Sequence, residues 1–180
     1  MDDQRITIVE YNGGWVDYFV EFKQELQRVL QPTHHNLILI EHIGSTSVPN
    51  LAAKNMIDIL IAAPSLQLVN NDWVPLLQEL GYQYFPQHET VLPMRRYFSR
   101  KKGTLKAIIE SHLHIVEPTS QFWREHIAFR DYLRTHPPEC AQYEKLKKHN
   151  AELFPYDTGA YTDAKGDFIT DCVKKALESD

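Results

Sequence analysis

Cysteine is nearly absent. Cys140 and Cys172 are the only thiols in 180 residues and stand far apart with no Cys-x-x-Cys spacing, a pattern that indicates neither a disulfide framework nor a zinc finger. With no cross-links to maintain, a reducing cytoplasm is the expected compartment. No apolar run reaches the roughly 18 residues that would suggest a membrane span. The start, Met1-Asp2-Asp3-Gln4-Arg5, has neither the basic flank nor the apolar centre of a secretory signal, so neither export nor membrane insertion is expected. A basic excess is missing too: 19 basic residues against 24 acidic ones leave −5 at neutral pH, which disfavours long nucleic acid as a partner of the whole surface. Repeats, low-complexity stretches and long linkers are also lacking. What remains is 43% apolar and 24% charged, the composition of a globular protein, in a length that fits a single domain over 1–180.

Trp15, Phe19, Phe22, Leu26, Val29 and Leu30 recur at helical spacing between Gly13-Gly14 and Pro32, predicting an amphipathic helix. Two Leu/Ile-rich strands are expected at 36–43 and 56–63, with apolar residues on both faces. Asn71 and Asp72 are placed to cap a helix through Leu80, and Gly81 to end it in the left-handed conformation. Strands are expected at 82–85, 94–100 and 104–117, with Lys101-Lys102-Gly103 as a turn. Thr119 or Ser120 should cap a helix that Pro137-Pro138 separates from another, and a last helix is expected over 162–176. The predicted class is α+β: a small mixed β-sheet with helices packed on it and a helical C-terminal third.

Chemistry concentrates between Ile40 and Ile61. A strand that ends in Gly44-Ser45-Thr46 presents backbone N–H groups and hydroxyls suited to phosphate, and Gly44 lets a ligand approach the chain closely. Asp58 interrupts the apolar run Met56-Ile57-Asp58-Ile59-Leu60-Ile61, where an ionised carboxylate needs a partner, hydrogen bonds or a metal. An ordinary turn and a structural aspartate are the plainer alternatives.

Glu41-His42-Ile43-Gly44-Ser45-Thr46-Ser47-Val48-Pro49, Leu51-Ala52-Ala53-Lys54 and Ile57-Asp58 resemble the signature of the GrpB family, itself similar to the nucleotidyltransferase superfamily. The resemblance continues through His112-Leu113-His114-Ile115-Val116, Phe129-Arg130-Asp131-Tyr132-Leu133-Arg134 and Tyr161-Thr162-Asp163-Ala164-Lys165. It implies a nucleotidyltransferase-like fold, binding of a nucleoside triphosphate with a divalent metal, Mg or Mn, and transfer to an unknown acceptor. In that superfamily a Gly-Ser pair binds phosphate, and about a dozen residues later a strand supplies two metal-binding carboxylates. By resemblance Ser45 takes the first role and Asp58 the catalytic, metal-binding one. The next position on the same face is Leu60, where a second carboxylate would stand. The resemblance therefore also admits a nucleotide-binding module without transfer chemistry.

Other residues are weighed against that gap. His112 and His114 share one face of a strand, and can complete a metal set with Asp58, one suited to Mn, Fe or Zn more than to Mg. Glu41 and His42 point to opposite faces, and His42 is the one expected in the pocket. Lys54 and Lys165 are candidates to neutralise phosphate. Arg95, Arg96, Arg100, Lys101, Lys102 and Lys106 make the one dense basic region, from which Arg96 is a candidate pocket residue. With Tyr97 and Phe98 it also offers an RNA-binding alternative.

Overall fold

A computed structural model describes residues 5–33, 38–104 and 107–178. Helix α1 (Gly14–Leu30) is followed by strands β1 (Leu39–Ile43) and β2 (Met56–Ala62), joined through a 3-10 turn at Ser45–Ser47. Next comes an irregular helix: α2 (Leu66–Leu68) passes through a π-turn (Val69–Trp73) into α3 (Val74–Glu79). Strands β3 (Gln83–Tyr84), β4 (Arg96–Thr104) and β5 (Ala107–Val116) precede four helices, α4 (Gln121–Thr135), α5 (Pro137–Leu153), α6 (Thr158–Asp163) and α7 (Gly166–Glu178). The class is α+β, as predicted.

The five strands form one mixed sheet in the order β1-β2-β5-β4-β3. Only the β2–β5 pairing is parallel. Of the two strands expected at 36–43 and 56–63, positions 36 and 37 lie outside the described residues, and Leu39–Ile43 and Met56–Ala62 are antiparallel neighbours, with Ile43 opposite Asp58.

Period-two alternation divides this sheet into two unlike faces. Ile57, Ile59, Ile61, Leu113 and Ile115 lie on one face in a buried cluster with Trp15, Phe22, Leu26 and Leu30 of α1 and with Val69, Trp73 and Leu77. On the other face, α4 covers only one part: Phe122, Trp123 and Ile127 pack over Ile43, Leu60 and Val116. The uncovered part carries Asp58, His112, His114 and Tyr97, and there the cavity lies.

Several expected boundaries move for local reasons. The helix before Gly81 begins earlier than Asn71: Ser65 caps it, its Oγ accepting from the Leu68 N–H at 3.1 Å, while Asn71 and Asp72 fall inside the π-turn. Gly81 ends the helix with φ +85°, as expected of a left-handed stop. Lys101-Lys102-Gly103 is strand and not turn, because the β4–β5 ladder runs on through Lys101 opposite Glu110 and Gly103 opposite Ile108; Lys106 lies outside the described residues. Ser120 caps α4 by accepting from the Trp123 N–H at 3.2 Å, and Pro137 opens α5 at the predicted corner. The last expected helix is two, with Lys165 between α6 and α7.

Leu60 is completely buried beneath α4, so truncation leaves a void that neighbouring rings cannot fill. Leu60→Ala should lower the unfolding free energy by about 2–5 kcal/mol in a denaturant titration. Leu60→Asp, which creates an unpaired buried carboxylate, should cost more.

Candidate functional site

The strand registers assemble the floor of a cavity of about 560 Å³. Parallel pairing sets Asp58 beside His112 and Leu60 beside His114, and antiparallel pairing sets Tyr97 beside His114. His112 Nδ1 lies 3.6 Å from Asp58 Oδ1, while its Nε2 is 3.2 Å from Glu110 Oε1. His114 Nε2 faces the same Asp58 oxygen at 4.0 Å, and its Nδ1 is 3.1 Å from Arg95 Nη1. A guanidinium is a donor only, so His114 Nδ1 accepts and the neutral ring carries its proton on Nε2, towards Asp58. Burial lowers the His114 pKa, opposed in part by Asp58. At Asp58 burial pushes upward, but the His114 N–H and the electrostatic influence of the two imidazoles and Lys54 outweigh it and bring the carboxyl down to about 2. Asp58 is therefore ionised throughout the neutral range.

These contacts decide how well Asp58, His112 and His114 suit a metal. The three converge, yet among the described residues no group of three His, Cys, Asp or Glu side chains is placed to hold an ion. His114 turns an N–H rather than a lone pair towards Asp58, and Arg95 adds positive charge behind the same ring. The expected three-residue metal set is an acid–imidazole cluster.

The Gly44–Ser45–Thr46 turn rises over Asp58. Gly44 has φ +69° and ψ −175°, a region open essentially to glycine alone, and a Cβ there would overlap the Asp58 carboxylate. Helix α4 holds the turn from both ends: Arg130 Nη1 donates to the His42 carbonyl at 3.1 Å, and Arg134 donates to the Ser47 carbonyl through Nε at 3.1 Å and Nη2 at 2.8 Å. Arg130 also pairs with Glu41 at 2.6 Å and Asp131 at 2.8 Å. The family-pattern arginines thus position the turn rather than only pairing along their own helix. Ser45 hydrogen-bonds with Tyr143 of α5 and lines the cavity.

Thr46 lines the cavity, but its hydroxyl is engaged. It donates to the Met56 carbonyl at 3.0 Å, so the 3.0 Å contact with His42 Nε2 is a donation from the imidazole. His42 does not face the pocket as expected. It lies on the α1 face, stacked on Phe19 with ring centroids 4.7 Å apart, and burial holds its pKa down to about 4.

Arg96 is displaced from its expected role by the same alternation. Its side chain takes Asn70 at 2.6 Å and Glu89 at 3.1 Å, away from the cavity. Arg95, one residue earlier, lines it instead, with its guanidinium 5.1 Å from the Tyr97 ring centroid and 5.6 Å from that of Phe122. Pairing parity with His114 was the signal that could have separated the two arginines. Lys54 and Lys165 line the cavity as expected, joined by Lys147 of α5, which the sequence reading missed because it lies on an otherwise polar helix. Arg95, Tyr97 and His126 make a wall of planar groups, whereas the three lysines, Tyr143 and Tyr161 come from the other elements.

If the Gly44 approach sets the site geometry, Gly44→Ala should destabilise the fold by about 1–3 kcal/mol. In a double-mutant cycle, Asp58→Ala should recover part of that loss, because the steric share of the cost belongs to the pair. Purely additive effects would separate the turn from Asp58.

Comparison with known proteins bears on this geometry. The UPF0157 protein YqkA of Bacillus subtilis is 37% identical over 166 residues, covering 92% of this chain and 46% of that protein; the chain therefore spans less than half of that relative. The glutamate-rich protein GrpB of Alkalihalophilus pseudofirmus is 31% identical, with 94% of this chain and 95% of that protein covered. A crystal structure of the conserved protein GrpB from Enterococcus faecalis matches with a TM-score of 0.79 and 36% identity, covering 96% of this chain and 98% of the other. The family model described as GrpB protein matches residues 5–175, and the chain belongs to the GrpB family.

Proposed function

We propose that the cavity binds a nucleoside triphosphate, with its phosphates against the Gly44–Ser45–Thr46 turn and Lys54 and Lys165 as counter-charges. The observation that carries this reading is the convergence of that turn, the ionised Asp58 and the lysines on one cavity. The Ser45 hydroxyl and the turn backbone offer polar contacts, while Tyr97, His126 and the Arg95 guanidinium offer flat faces for a ring. Phosphate beside an ionised Asp58 is repelled unless a cation intervenes. In this reading a divalent ion, Mg or Mn, arrives with the phosphates and takes Asp58 as a protein oxygen ligand.

Transfer of the nucleotidyl group to an acceptor is the finer form of the proposal. Leu60 favours its weaker form, binding without transfer: the position for a second carboxylate is apolar and roofed by Phe122, Trp123 and Ile127. Recognition of RNA by the basic hairpin finds less support. Arg96 pairs with Glu89, Arg100 with Glu25, and Lys101 with Glu110, so much of its charge is matched within the protein.

Calorimetric titration with the four common nucleoside triphosphates, with and without Mg or Mn, tests the proposal. At least one should bind, and Ser45→Ala should weaken it by roughly 1–3 kcal/mol, the range for losing a hydrogen bond to a charged group. No binding by the panel would overturn the reading, and unchanged affinity in a folded Ser45→Ala variant would remove Ser45 from the site.

A further inference from the structure

Three amines line the cavity, and Asp58 is the carboxylate there that acts on Lys54 and Lys165. Lys54 comes from the connection between β1 and β2, Lys147 from α5 and Lys165 from the break between α6 and α7. Lys165 and Lys54 sit over the same Tyr161 ring, with Nζ 4.1 Å and 5.7 Å from its centroid. Lys147 is only 2% exposed. Its Nζ donates to the Ala52 carbonyl and lies 5.0 Å from the Tyr143 ring centroid. The nearest acid on its own helix, Glu144, is already committed: it accepts from the Ala52 N–H at 3.0 Å and from Lys148 at 2.7 Å.

An ammonium has three protons to donate, and Lys147 spends one on a neutral carbonyl. Gathering further like charge beside a buried amine is unfavourable for the empty protein. That cost is recovered when an anion enters. The groups acting on Lys147 are Cys140, Glu144 and Lys148 of α5 and Lys165 from the α6–α7 break, and its Nζ lies by the Tyr143 ring. Glu144 is the only carboxylate among them.

We propose that Lys54, Lys147 and Lys165 form a seat for a chain of at least two linked phosphates, and that filling the seat draws a proton from solvent onto Lys147. This rests on the nucleotide reading and deepens it, since it selects di- and triphosphates over monophosphates. Burial, followed by repulsion from Lys165, lowers the Lys147 pKa to about 7; burial and Lys54 lower that of Lys165 to about 8. At pH 8 Lys147 therefore rests largely neutral in the empty protein. A polyphosphate beside it favours the ammonium, so binding and protonation are linked.

The probe is inorganic tripolyphosphate, compared with orthophosphate, titrated calorimetrically at pH 8 in two buffers of different ionisation enthalpy. Tripolyphosphate should bind at least tenfold more tightly than orthophosphate, with net proton uptake. Lys147→Met should cut the uptake to the smaller share owed to Lys165 and weaken binding tenfold or more. Lys147→Arg keeps a permanent charge, so it should bind with only that smaller uptake. Should either substitution prevent folding, Lys165→Met keeps the test open: it should weaken tripolyphosphate and reduce the uptake without abolishing it. Equal affinity for the two anions, or no buffer dependence in the wild-type chain, would overturn the seat. Binding of nucleoside triphosphates that is indifferent to Lys147 would sink the seat and spare the nucleotide reading. Proton-linked tripolyphosphate binding with no nucleotide binding would do the reverse.

Discussion

The close approach of Gly44 to Asp58 is the contact on which the cavity depends. Antiparallel pairing brings the end of β1 against the start of β2, with Ile43 opposite Asp58, so the chain leaving β1 must turn directly over the carboxylate. Only a residue without a Cβ clears it, and the φ of +69° makes the same demand on conformational grounds. Asp58 is held ionised by its histidine and lysine neighbours, and the turn is held in place by Arg130 and Arg134. Neither part keeps its geometry independently of the other.

The sheet's two faces explain why so polar a cluster can exist in a chain of this size. One face is closed by α1 and the α2–α3 region and carries most of the apolar burial. The other is covered only partly by α4. Polar groups at Asp58, His112 and His114 can therefore stand in β2 and β5, strands whose opposite sides are apolar apart from Ser111. The same partial cover makes Leu60 informative. It lies two residues from Asp58 on the same face, yet beneath Phe122, Trp123 and Ile127, so a single β2 carboxylate reaches the cavity.

Much of this was legible in the residues, and the limits have physical causes. Alternation placed Asp58 on one face of β2 and His112 with His114 on one face of β5, and the family resemblance paired Ser45 with Asp58 in one site. Parity without register could not decide between His42 and Glu41 or between Arg95 and Arg96, because one residue of slip exchanges the faces of a strand. Lys147 was illegible for another reason: α5 has too little apolar periodicity to reveal which side is buried, and that side is defined by Ala52 and Tyr143 only after folding. The arrangement of Asp58, His112 and His114 turns on where the protons sit. Spacing brought the imidazoles to Asp58, but a distant arginine, Arg95, determines which nitrogen of His114 holds its hydrogen.

The most direct measurement of the central claim is a two-dimensional amide NMR titration of the folded protein with the tightest-binding nucleoside triphosphate and Mg. The account predicts that the largest shift changes fall on the backbone N–H groups of Gly44, Ser45 and Thr46, with Asp58 next. Changes confined to residues 96–104, or none at the Gly44 turn under saturating ligand, would contradict it.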